Sequence, residues 1–217
     1  MTLCILVLAG CSAPGAAPAA FDVTENLVAY YSFSGNANDS VGTAHGTLSG
    51  DVDLTASDRY GNPDSACAFD GTDDAVTIGT IPLGTSTGLS FALWMYRSNT
   101  GYAVYANPFF MYQQVTFCVY PGSTNSVYAA VPADTWTHIV GTYDNNTGTG
   151  VIKIYRDGAL IEEVEKGSTL GSMFLNSLVL GERAGAYVDF QGVLDEVRIY
   201  NRVLTAAEVE AVYQYTE

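Results

Sequence analysis

Positive charge is what this 217-residue chain has least of: 8 Lys and Arg stand against 23 Asp and Glu, for a formal net charge of −15. Such a field repels nucleic acid and anionic lipid, which excludes both as expected partners, and it suits a soluble extracellular surface or divalent cations. Histidine and cysteine are nearly absent, at 2 and 4 residues. There is no CxxC spacing, and His45 and His138 stand alone, so a zinc site is not expected. No apolar run reaches the ~20 residues that a membrane-spanning helix needs. Helix-period segments are also missing until the last residues of the chain.

What is there is a good core composition. At 48% hydrophobic and 14% charged, the chain can bury a large interior, and no composition break after Leu27 argues for a second domain. The N-terminal run Leu3–Gly10 is too short to cross a bilayer but has the length of a signal-peptide core. It closes on Leu8-Ala9-Gly10-Cys11, which resembles the lipobox of bacterial lipoproteins, although no basic residue precedes it. That resemblance implies a signal peptide over residues 1–10, lipidation of Cys11, and an Ala/Pro-rich tether over 11–26, with the domain occupying 27–217. The chain is then expected in the cell envelope, facing outward and touching the membrane only through the lipid. Cys67 and Cys118 remain, and in an exported protein such a pair is a disulfide candidate, two buried thiols being the alternative.

The body reads as short alternating runs separated by Gly, Asn, Asp and Pro, the pattern of an antiparallel sandwich. Strands are expected at Leu27–Phe33, Ala66–Phe69, Ala75–Ile78, Ser90–Tyr96, Phe109–Tyr112, Val115–Tyr120, Thr137–Tyr143, Val151–Arg156, Leu178–Leu180 and Gly192–Tyr200. Asp157-Gly158 supplies the positive φ of a tight hairpin. At the end, Thr205-Ala206-Ala207-Glu208 is a capping box, and Val209, Val212 and Tyr213 give a short helix one apolar face.

Taken in order, several segments resemble the laminin-G-like, concanavalin A-like lectin/glucanase jelly-roll family. They are Tyr31–Ser40, Phe69–Asp74, Leu89–Trp94, Trp136–Asp144, Lys153–Gly158, Phe190–Arg202 and Leu204–Glu208. The resemblance implies an all-β sandwich of two antiparallel sheets, one concave, with the first and last strands side by side. It does not imply a ligand, because function lives in sites grafted on the fold. It does imply a structural calcium held by Asp39 and Asp195, with carbonyls of Gly42 and His45 completing the shell, a donor set that suits a hard cation. Otherwise Asp39 reads as an Asx-turn residue, and Asp195 as a buried carboxylate paired with Arg198 or Arg202.

A run of aromatics fills the middle of the chain. Alternation puts Phe117 and Val119 on one face and Thr116, Cys118 and Tyr120 on the other. With Tyr112 and Gln114, Tyr120 would then line a concave face where tyrosine stacks on sugar, unless these tyrosines simply fill strand positions. Catalysis has little support. Glu163 and Glu165 share a strand face but follow a hairpin and read as a solvated edge, and 2 His residues leave scant room for a Ser-His-Asp hydrolase. The sequence thus points to a non-catalytic carbohydrate-binding or adhesion module, with a structural or protein-interaction module as the alternative. Its partner would be a glycan or an extracellular protein.

Overall fold

The computed structural model describes residues 21–84, 86–98, 101–107, 109–112, 116–119, 126–146, 148–166, 174–182 and 189–216. In chain order the first strands are β1 (Leu27–Tyr31), β2 (Thr47–Ser49), β3 (Asp53–Ala56), β4 (Ala66–Asp70), β5 (Ala75–Pro82), β6 (Gly88–Arg97), β7 (Val104–Asn107) and β8 (Phe109–Tyr112). There follow β9 (Thr116–Val119), β10 (Ser126–Tyr128), β11 (Thr137–Asp144), β12 (Val151–Arg156), β13 (Ala159–Glu165), β14 (Phe174–Leu180), β15 (Gln191–Tyr200) and helix α1 (Ala206–Gln214). One sheet runs β13-β12-β11-β6-β15-β4-β3 with β1 also on β15, and the other runs β10-β9-β8-β7-β14-β5-β2. The fold is the all-β jelly roll, and the first and last strands do lie side by side.

Alternation builds the interior between the sheets. On β6, Leu89, Phe91, Leu93 and Met95 enter the main core, while Ala92 faces away and belongs to a second apolar cluster. Facing them from the other sheet, Phe117 and Val119 of β9 point inward as their spacing demands, and Cys118 does not join that core. Gly141 of β11 lets the two sheets close at this point: a Cβ there would sit 2.6 Å from the Phe117 ring.

The central strands of the first sheet are buried on both faces because α1 covers the outer one. Thr205 accepts from the Glu208 amide, and the Glu208 carboxylate accepts from the Thr205 amide at 2.7 Å, so the expected capping box forms. Val209, Val212 and Leu204 then pack on Ala92, Val140, Tyr155 and Tyr200. Phe21 and Val23 join this cluster, so packing reaches back into the stretch expected to be tether. The β12–β13 hairpin turns through Asp157 (φ 49°) and Gly158 (φ 81°), the geometry Asp-Gly favours.

Some expectations need correction. β1 ends at Tyr31 rather than Phe33, which takes a φ of 50°. The edge strands β2 and β3 and the short β7 and β10 carry too little apolar alternation to stand out. Cys67 and Cys118 are not bonded to each other. Cys67 lies on β4 near one end of the first sheet and Cys118 on β9 near the opposite end of the second. Sheets pack ~10 Å apart and neighbouring strands ~4.8 Å apart, whereas a disulfide needs Cα atoms within roughly 7 Å.

Candidate functional site

β15 changes partners part-way along. Gln191–Leu194 pair with β4 and Val197–Tyr200 with β1, and the pairing with β6 slips between Asp195 and Arg198. Glu196 fills the slip at φ 49°, a left-handed conformation that is uncommon for a non-glycine residue and marks a bulge. The bulge aims two consecutive carboxylates out of the same short stretch. Asp195 is 3% and Glu196 5% exposed. Buried charges must find partners. Arg59, from the loop between β3 and β4, donates to Glu196 Oε1 at 2.7 Å and lies 3.6 Å from Asp195 Oδ2. Arg198 donates to Glu196 Oε2 at 2.6 Å and to the Tyr30 hydroxyl at 3.3 Å. The Arg59 guanidinium is also stacked between aromatic rings, 4.4 Å from the centroids of Tyr60 and of Trp94.

Across the sheet the order is His138 on β11, Trp94 on β6 and Asp195 on β15, directly opposite one another. Burial, with the neighbouring Glu196 charge, pushes the Asp195 carboxyl up to about 8, against the Glu196 amide and Arg59, which favour its charged form. Tyr213 of α1 stacks on Trp94 at 5.6 Å and closes the row from above.

The loop that carries Arg59 also presents an exposed ring. Tyr60 is 58% exposed. Asp58 fixes its backbone by accepting from the Tyr60 amide at 2.8 Å, the Asn62 amide at 2.9 Å and the Asn62 side chain at 2.8 Å. Partial burial works against ionisation of Asp58, but these donors and Arg59 hold its carboxyl below the usual range. Tyr60 borders two pockets. One is polar and lined by Ser32, Ser34, Asp58, Asn62, Ser65, Asp195 and Glu196. The other is lined by Arg59, Trp94, Tyr213, Gln214 and Thr216. An exposed aromatic ring beside hydroxyl, amide and carboxylate groups is the chemistry that stacks on a sugar ring and bonds its hydroxyls. Sequence reasoning passed over this loop, though a Tyr set among Asp58, Gly61, Asn62 and Pro63 was a usable signal.

The expected calcium residues fall into two places. Asp39, Gly42 and His45 share the loop after β1. Asp39 Oδ1 accepts from the amides of Tyr30 at 3.1 Å, Val41 at 3.0 Å and Gly42 at 2.9 Å, Oδ2 accepts from Ala44 at 3.3 Å, and the Asp39 amide donates to His45 Nδ1. A Cβ at Gly42 would meet Asp39 Oδ2 at 2.6 Å. Asp195 lines a different pocket with no lining residue in common, and the arginine beside it is Arg59 rather than Arg198 or Arg202. Arg202 pairs with Glu208 instead. Asp39 and Asp195 thus have separate sets of protein partners, backbone amides for the one and Arg59 with the Glu196 amide for the other.

Elsewhere among the described residues, Asp70, Asp73 and Asp74 bring carboxylate oxygens within 4.8 Å of one another. Tyr112 closes β8, while Gln114, Tyr120 and Cys11 lie outside the described residues. Glu163 pairs with Lys153 at 2.9 Å on the exposed edge strand β13. Ser86, just before β6, has its hydroxyl committed to the carbonyls of Gly88 and Asn201.

Residues 70–210 match the family model described as the concanavalin A-like lectin/glucanases superfamily. The chain belongs to that superfamily. No curated protein matches it in sequence. Domain 4 of AbnA, an extracellular GH43 arabinanase from Geobacillus stearothermophilus solved with arabinotriose, superposes with a TM-score of 0.67 at 22% identity, over 87% of this chain and 98% of that one. The receptor-binding domain of botulinum neurotoxin C/D mosaic serotype gives a TM-score of 0.70 at 14% identity, over 88% of this chain and 51% of the other. A botulinum neurotoxin DC binding domain in complex with SialylT gives 0.68 at 11%, over 88% and 52%. The superfamily member described here thus spans about half of those toxin domains, and at these identities the likeness establishes the fold alone.

Proposed function

We propose that this concanavalin A-like chain is a non-catalytic glycan-binding or adhesion module, held outside the cell on a lipid at Cys11, and that the Tyr60 shelf is where it meets sugar. The observation that carries the reading is the exposed Tyr60 ring, on a backbone held by Asp58, beside a pocket of Ser, Asn and Asp side chains. The fold neighbours with arabinotriose and SialylT in their descriptions support it at the level of ligand class. A glycan array followed by calorimetry on the best hit tests it. Tyr60→Ala should weaken binding by roughly 10-fold or more, since an aromatic stack contributes about 0.5–1.5 kcal/mol beyond the area it buries. An array without hits, or a hit indifferent to Tyr60→Ala, overturns the placement. Cys11→Ala should release the chain from the membrane fraction.

A protein partner at the same shelf is the second reading, supported by the botulinum DC binding domain described in complex with rat synaptotagmin II. Array silence together with capture of a defined extracellular protein would favour it. Turnover in a polysaccharide hydrolysis screen would contradict the non-catalytic reading altogether.

A further inference from the structure

We infer that Arg59 is the resident counter-cation of the carboxylates at the β15 bulge, so that the chain folds without calcium at Asp195. A divalent ion in such a site would serve to neutralise closely spaced, desolvated carboxylates and to fix the strand bearing them. Here two guanidiniums do both. Arg59 contacts Glu196 at 2.7 Å and Asp195 at 3.6 Å, and Arg198 contacts Glu196 at 2.6 Å, so two acids face two arginines. The remaining Asp195 oxygen accepts from the Glu196 amide at 2.6 Å.

Arg59 is not a passing surface charge. Its side chain is 6% exposed, it is stacked between Tyr60 and Trp94, and its second nitrogen donates to the Tyr215 carbonyl at 3.2 Å. It therefore ties the loop after β3, the bulge of β15 and the segment after α1 to one point, as a metal would. Asp39 is likewise satisfied from within, by four backbone amides. The inference stands apart from the glycan reading, because it concerns folding and not ligand.

Thermal melting of the full chain at pH 9, where Asp195 is ionised, in chelator and in millimolar calcium, tests it. The wild type should melt at the same temperature in both. Arg59→Gln leaves Arg198 as the one guanidinium beside the two acids, with Asp195 unneutralised, and should acquire a calcium response of roughly 5–10 °C when calcium stands 100-fold above its dissociation constant. Arg59→Lys, which keeps the charge, should behave as the wild type. A chelator-induced fall in wild-type melting that Asp195→Asn removes overturns the inference, and so does an Arg59→Gln chain indifferent to calcium. Should Arg59→Gln fail to fold, calcium calorimetry on the wild type decides: saturable binding abolished by Asp195→Asn refutes Arg59 as the cation, and its absence upholds it.

Discussion

His138 should add a stability loss at acid pH that one substitution removes. It is 1% exposed on the outer face of the first sheet, its ring centroid 5.1 Å from that of Trp94 and 5.8 Å from that of Tyr213. Among the described residues neither of its ring nitrogens has a hydrogen-bond partner. Burial, with the positive charges of Arg198 and Arg59, pushes its pKa down to about 3. In the unfolded chain it titrates near about 6.5. Below that pH the unfolded state takes a proton that the folded state refuses, so stability falls by about 1.4 kcal/mol per pH unit, roughly 2 kcal/mol by pH 5.

Asp195, two strands away, has the opposite sign. With its folded pKa raised to about 8, it contributes stability that is full below the unfolded value of about 4 and lost as pH rises through 8. The two nearly cancel between pH ~4 and ~6.5, so the wild type alone conceals both. His138→Phe keeps the ring contacts and removes the titration. Urea unfolding of wild type and variant at pH 7, 6, 5 and 4 should show the variant gaining about 2 kcal/mol relative to wild type between pH 7 and 5. A difference between the two that does not change with pH would refute the argument.

Gly141→Ala should cost roughly 1–3 kcal/mol in urea unfolding, because the new methyl meets the Phe117 ring at 2.6 Å in a closed core. An unchanged midpoint would mean that the sheets move apart freely. Thr205→Ala removes the cap of α1 and should lower stability by about 1 kcal/mol, read by calorimetry. Cys67 is fully buried and burial pushes its thiol pKa up, so alkylation at Cys67, followed by peptide mapping, should occur only after unfolding.

The parts of the fold that could be read in advance are those whose signal is local. The β6 and β11 runs, the Asp157-Gly158 turn and the capping box at Thr205 each lie within a few residues, and each forms as expected. Partners across the fold were not legible in this way. Asp195 was expected to ligate calcium or, as the alternative, to be buried and paired, and the arginines considered for that pairing were its chain neighbours, Arg198 and Arg202. The one that reaches it, Arg59, sits in a polar loop of Asp, Asn and Gly whose composition says only that it turns. Counting cysteines had the same weakness, since it indicates a compartment but cannot see that Cys67 and Cys118 belong to different sheets.

The bulge itself, however, was written in the spacing. A strand of strict period two that buries Leu194 would next bury Glu196 and Arg198 and turn Val197 and Ile199 outward. An unbroken alternation would thus put two charges in the core and two β-branched residues outside it. The register that buries Leu194, Val197 and Ile199 together requires one extra residue between the first two, and the structure places all three in the main core. Leu-x-x-Val-x-Ile is therefore the signature of an inserted residue, and Glu196 at φ 49° is that residue. Because the offset turns Asp195 and Arg198 to the outer face together, it is also what lets the Asp195–Glu196 pair be met by guanidiniums from two different segments. Deleting Glu196 leaves Leu-Asp-Val-Arg-Ile, in which plain alternation against β6 still turns Leu194, Val197 and Ile199 to the core and Asp195 and Arg198 outward. The deletion is accordingly expected to keep a cooperative melt at a lower temperature, having lost the Glu196 contacts to Arg59 and Arg198, and a deletion variant that no longer unfolds cooperatively would show that the core itself requires the bulge.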